Sequence, residues 1–142
     1  MAKDRFHNVV KIALIKDGWT ITHDPLTVKI GDVEMDIDLG ADSLLAADRD
    51  NEKIAVEIKS FLVQASAIYQ FHIALGQFIN YRTALKIKEP DRLLYLAVPI
   101  ISYTTFFQRE FPSLIIQENK INLIIYDIQS ETILEWQPST RN

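Results

Sequence analysis

Residues 93–98, Leu-Leu-Tyr-Leu-Ala-Val, form an unbroken apolar run closed by Pro99. A strand with apolar side chains on both faces is stable only where both faces are covered, as for an interior strand between layers of helices. The surrounding pattern supplies those layers. Residues 3–16 carry Phe6, Val9, Val10, Ala13 and Leu14 at helical spacing, with Gly18 as the stop. Residues 61–86 predict a longer helix with Phe71, Leu75, Phe78 and Leu85 as its apolar stripe, ended before Pro90. Gly76 within it suggests a close approach to the sheet. Runs at 19–21, 27–30, 33–39, 54–58, 121–126 and 132–136 read as strands. Residues 102–111 predict a short helix capped by Ser102, with Phe106, Phe107 and Phe111 packing inward. This order implies an α/β fold, one domain over 1–142, with a mixed sheet flanked by helices.

One strand carries charges that packing alone does not require. Residues 44–47 and 54–58 are expected to pair as a hairpin through a polar turn at 48–52. On the second arm Ala55, Glu57 and Lys59 share one face, while Ile54, Val56 and Ile58 share the other. The carboxylate and the ammonium then stand roughly 6–7 Å apart along the strand. With Asp42 at the start of the first arm, these residues compose a hydrolytic metal site. Asp42 and Glu57 supply oxygen ligands, and Lys59 orients or deprotonates water, or neutralises charge on a phosphate. Asp38 competes with Asp42 for the ligand position if a bulge at Gly40 redirects the chain. Glu34 and Asp36, which alternate with apolar residues before it, read as an exposed acidic face. The chain has no cysteine, so thiolate sites are excluded, and oxygen ligands favour Mg²⁺ or Mn²⁺ over Zn²⁺.

A net charge of −4 works against sequence-independent binding to a polyanion, whose affinity comes from lysine and arginine. Lys3, Arg5, Lys11 and Lys16 near the start, and Arg82, Lys86 and Lys88 at the end of the second helix, are the expected basic edges. No run approaches 18 apolar residues and the first residues hold no apolar signal core, so the expectation is a soluble, cytoplasmic protein without a membrane span.

The Asp and Glu-x-Lys arrangement resembles the core motif of the PD-(D/E)XK nuclease superfamily. More closely, Asp-Leu-Gly-Ala-Asp at 38–42, Ile-Ala-Val-Glu-Ile-Lys-Ser-Phe at 54–61, Phe-His-x-x-Val at 6–10 and Lys-Asp-Gly-Trp at 16–19 resemble the XisH family. These are the cyanobacterial fdxN-element excision controlling factors, and the resemblance runs over nearly the full chain. It implies a restriction-endonuclease-like sheet, with Asp42 as the motif's Asp, Glu57 as its (D/E) and Lys59 as its Lys; Ala41 stands where the motif has Pro. It further implies a metal-dependent DNA phosphodiesterase of the endonuclease type, acting on DNA in programmed rearrangement. The alternative it leaves open is a non-catalytic accessory protein that regulates a site-specific recombinase, together with an XisI-type companion excision factor. In the superfamily the first helix lends an acid to the site, a part that Asp4 or His7 would take, though His7 also fits a surface or packing position. Gln77-x-x-x-Tyr81 matches the Gln-x-x-x-Tyr of RecB-like members, which makes Gln77 and Tyr81 candidates to contact a substrate phosphate or orient a ligand. If a homodimer forms, Phe106 and Phe107 are the expected contact.

Overall fold

The apolar run at 93–98 lies in an interior strand of a six-stranded sheet, as its two-faced hydrophobicity requires. The computed structural model describes residues 2–43, 52–61 and 66–139, with side chains from residue 5 onward. In chain order the elements are α1 (Ala2–Lys16), β1 (Thr20–His23), β2 (Leu26–Ile30), β3 (Val33–Ile37), β4 (Leu39–Ser43), β5 (Glu52–Ile58), α2 (Ala67–Lys88) and β6 (Arg92–Pro99). There follow α3 (Ile100–Ser102), a π-helical turn (Tyr103–Phe107), α4 (Glu110–Glu118), β7 (Leu123–Asp127) and β8 (Thr132–Gln137). The main sheet has the order β1-β4-β5-β6-β7-β8, and β2 with β3 forms a separate hairpin. Strands β5, β6 and β7 run parallel to their neighbours in that trio, and the outer pairings are antiparallel.

Strand alternation divides the core in two. On one face Tyr95 and Ala97 of β6, with Ile54 and Val56 of β5 and Leu39 and Ala41 of β4, pack beneath Phe6, Val9, Val10 and Leu14 of α1. On the other, Leu94, Leu96 and Val98 meet Phe71, Phe78 and Leu85 of α2, joined by Leu26, Val28 and Ile37 of the small hairpin. Helix α1 ends where Gly18 takes φ +95° and the Trp19 N–H reaches back to the Leu14 carbonyl.

Several expected boundaries move. The run at 33–39 is cut at Asp38: β3 belongs to the small hairpin and β4 to the main sheet. The arm at 44–47 and most of its turn lie outside the described residues, and the segment paired with β5 is Leu39–Ser43. Helix α2 starts at Ala67, not at 61, because Ser66 caps it by accepting from the Tyr69 N–H (3.2 Å), while Phe61 is at φ +53°. Ser102 caps nothing; its hydroxyl donates to the Ser60 carbonyl. Phe106 and Phe107 are buried against Phe61 and Phe71, so they are closed to a partner, whereas Phe111 is exposed. Helix α4 was not expected; Pro112 sits in its first turn, where the missing N–H removes no intrahelical bond. Gly76 is exposed and away from the sheet, with nothing within 4 Å of where its Cβ would stand.

Phe71 packs edge-on to both Phe106 (5.4 Å between centroids) and Phe107 (5.5 Å), tying α2 to the π-helical turn. Phe71→Ala is expected to cost about 3–5 kcal/mol in urea unfolding, as a large cavity in a core does.

Candidate functional site

A single residue, Asp38, separates the last strand of the small hairpin from β4. Pairing of Leu39 with Val56 in the antiparallel β4–β5 ladder sets Asp38 opposite Glu57. The two are tied through backbone donors. The Asp38 N–H donates to Glu57 Oε1 (3.3 Å), and the Ile58 N–H donates to Asp38 Oδ2 (2.8 Å). Glu57 shares the α2 side of β5 with Ala55 and is only 5% exposed. Lys59 follows two residues on, its Nζ 3.5 Å from Glu57 Oε2 and its N–H bonded to the Ala97 carbonyl (3.0 Å). The group stands at the carboxyl end of β5, beside parallel β6, where ligand crevices in sheets of this kind lie.

Helix α2 crosses this face. Burial, and then the charges of Glu57, Asp38 and Asp36, push the Tyr81 hydroxyl up to about 12, so Tyr81 stands within electrostatic reach of both carboxylates. Gln77, one turn earlier on the same flank of α2, has its Oε1 shielded from solvent and without a hydrogen bond among the described residues.

Asp42 is not part of this group. It faces the same way as Asp38 but four residues further along, roughly 13 Å at the rise of a strand. It pairs opposite Lys53, and its Oδ1 lies 3.4 Å from Nη1 of Arg92. The buried Arg92 guanidinium also holds Glu89 (2.8 Å) and the Ile54 carbonyl (2.9 Å), so Asp42 completes an ion cluster at the other end of the ladder. The cause is register. In the observed ladder Leu39–Ser43 pairs with Glu52–Val56, which sets Asp38 against Glu57 and Asp42 against Lys53, four residues apart on one face. The local irregularity lies in β1, where the register shifts between Ile21 and His23; Gly40 admits the His23 ring, whose Nδ1 would be 3.1 Å from an added Cβ.

His7 is also elsewhere. Its helix packs on the opposite face of the sheet, and its Nε2 pairs with Asp24 Oδ1 (2.7 Å) while Lys11 takes Oδ2 (2.8 Å). The Asp4 side chain lies outside the described ones. Glu34 and Asp36 are exposed, Asp36 accepting from Thr27 (2.7 Å). Arg82, expected on a basic edge, instead donates to the Asn119 and Lys120 carbonyls at the end of α4.

Comparison with known proteins supplies the family. The sequence model described as XisH protein matches residues 1–134. The chain belongs to the XisH family. No curated protein matches it. A crystal structure of an fdxN element excision controlling factor protein from Anabaena variabilis is 55% identical, with a TM-score of 0.86 over 94% of this chain and 98% of that one. An XisH family protein from Nostoc punctiforme PCC 73102 is 54% identical, with a TM-score of 0.85 over 94% and 99% of the two chains.

In this XisH chain the carboxylate pair has a definite electrostatic consequence. Desolvation by burial, and next the nearby Asp38 charge, raise Glu57 from 4.5 to about 7, although Lys59 and the Asp38 N–H oppose them. Among the described residues no group of three or more His, Asp and Glu side chains able to hold a metal occurs. Two carboxylates are nonetheless a normal protein share for Mg²⁺, which keeps several waters. Asp38 Oδ1 and the shielded Gln77 Oε1 are oxygens without a protein hydrogen bond among the described residues. An oxygen-only donor set with surplus negative charge fits such an ion.

Because the folded value of Glu57 lies above its unfolded one, both states are protonated below pH about 4.5 and the fold carries no penalty there. As pH rises from there to about 7 the unfolded state releases the proton first, and stability falls. Glu57→Gln is expected to flatten this dependence and, without divalent ions, to be more stable than wild type at pH 8 by roughly 3 kcal/mol, with little difference at pH 4.5. Urea unfolding at the two pH values checks it.

Proposed function

We propose that this chain is a divalent-metal-dependent DNA phosphodiesterase of the endonuclease type, with a PD-(D/E)XK-like fold, working in the excision of a DNA element. The observation that supports this reading is the convergence of Asp38, Glu57 and Lys59 from adjacent strands beneath the helix that carries Gln77 and Tyr81. The order of acid, Glu-x-Lys and Gln-x-x-x-Tyr along the chain is that of the superfamily, with Asp38 in the first place instead of Asp42. The Anabaena relative is described as an excision controlling factor, and excision requires that DNA strands be broken.

Asp38 and Glu57 would hold the Mg²⁺ or Mn²⁺ ion. When bound it supplies a Lewis acid for the phosphate and a more acidic water. The protein contributes the rest. Lys59 brings a positive charge to the same edge, where it orients the attacking water or neutralises charge developing on phosphate oxygens. Tyr81 stays protonated at neutral pH and can donate a hydrogen bond. Glu57 changes protonation near neutral pH, so metal binding and proton release are coupled.

The net charge of −4, with Lys11, Lys16 and Arg82 all engaged by protein oxygens, favours a second reading: a non-catalytic partner of a site-specific recombinase and an XisI-type factor. Cleavage assays separate the two. With Mg²⁺ or Mn²⁺, wild type is expected to cut duplex, single-stranded or branched DNA. Lys59→Ala and Asp38→Asn should lose roughly 10²–10³-fold or more, and Asp42→Asn should keep its activity. Mg²⁺ should raise the melting temperature more at pH 8 than at pH 5.5, because the ion competes with the proton on Glu57. No cleavage of any DNA form together with no thermal shift would leave the accessory reading standing alone.

A further inference from the structure

From Ser66 to Tyr81 there is no Asp, Glu, Lys or Arg, and beside His72 and Asn80 the outer side of α2 carries large apolar side chains. A helix with apolar side chains on its outer as well as its inner side has a further contact to make. Here the inner stripe is buried, but Ile68, Tyr69, Ile73, Ile79 and Ile87 are between 39% and 61% exposed. At the middle of this outer face stands Gly76. Glycine in a helix interior costs about 1 kcal/mol relative to alanine, and nothing within this chain makes use of its smallness.

We propose that the outer face of α2 is a homodimer interface, in which α2 packs antiparallel on α2 of a second copy about a two-fold axis at Gly76. Positions symmetric about 76 then meet: Ile73 with Ile79, Tyr69 with Thr83, and Ile68 with Ala84 of the other copy. The two halves of the face are complementary in shape. The first half projects large side chains. The second opens onto a groove of about 470 Å³ whose mostly apolar lining, Ile30, Val33, Met35, Ala84 and Ile87, is joined by Asn80 and Thr83. Each copy therefore offers one projection and one groove, as a self-complementary two-fold contact requires. Glycine at the axis lets the backbones approach.

The area is sufficient. Together with Val33 of β3, the exposed fractions of those five α2 side chains amount to about three whole large apolar residues, roughly 500 Å² at 150–200 Å² each. A stable interface buries about 800 Å² per partner, of which a little over half is apolar. Charge selects a second copy as the occupant. Two chains of net charge −4 repel wherever acids meet, and α2 carries no Asp or Glu, so none meet along the two helices; a strongly basic protein finds no counter-charge on α2.

The chain has no cysteine, so one introduced thiol gives an unambiguous test. Sedimentation equilibrium at up to about 100 μM should show a dimer for wild type and a monomer for Ile73→Glu, with the melting temperature of the monomeric variant kept within a few degrees. Under mild oxidation Gly76→Cys should form a disulfide-linked dimer, while Ile101→Cys, a control exposed on α3, should not. A wild-type monomer at the highest concentration, or equal cross-linking by the two cysteine variants, overturns the proposal; so does a monomer that uses this face only for a foreign protein.

Discussion

Keeping Glu57 out of water beside Asp38 is the least favourable arrangement in this fold, and the elements around it are what enforce it. Strand β5 has β4 on one edge and β6 on the other, and its neighbours Ile54, Ala55 and Val56 are all buried, so the backbone that carries Glu57 is fixed in the centre of the sheet. The pair is fixed by two main-chain N–H groups, that of Asp38 at the bend before β4 and that of Ile58 at the end of β5. Apolar packing therefore holds two acids at a separation they would not choose, and the result is an excess of negative charge with one lysine beside it. The proposed divalent cation would relieve that excess directly.

The parts of the site that follow from local periodicity were legible in the sequence. Alternation along 54–59 separates Glu57 from Ile54, Val56 and Ile58, and the structure keeps that separation. Helical spacing puts Gln77 and Tyr81 on one flank of α2, beside the Phe71 and Phe78 stripe, against whose core Tyr81 packs. The register of β4 on β5 was not legible. Asp38 and Asp42 differ by two strand repeats, so they have the same facing, and only the ladder decides which of them meets Glu57. The same limit applies to the bend at Asp38, where two strands of different sheets read as one continuous alternating run. Phe106, Phe107 and Phe111 look alike in sequence, yet the chain leaves the helical conformation at Arg109, between the second and the third, and Phe111 is left outside.

Helix α2 joins these features. One side supplies the core on which the sheet rests, one flank carries Tyr81 within electrostatic reach of the carboxylates, and the outer side exposes isoleucines around Gly76. The small hairpin β2–β3 backs the same helix through Leu26 and Val28, so the approach to Glu57 is shaped by a unit outside the main sheet.

The aromatic group on the far side of the sheet has a separate use. Trp19, just after the first helix, stacks at 5.5 Å on Trp136 of the last strand, whose indole N–H is held by Asp17 (2.9 Å), and Tyr95 closes the cluster from β6. These are the only two tryptophans in the chain, and they join its beginning to its end. Indole emission from this molecule is consequently a gauge of whether the two ends are docked, and the thickness of the sheet insulates it from events at the acids.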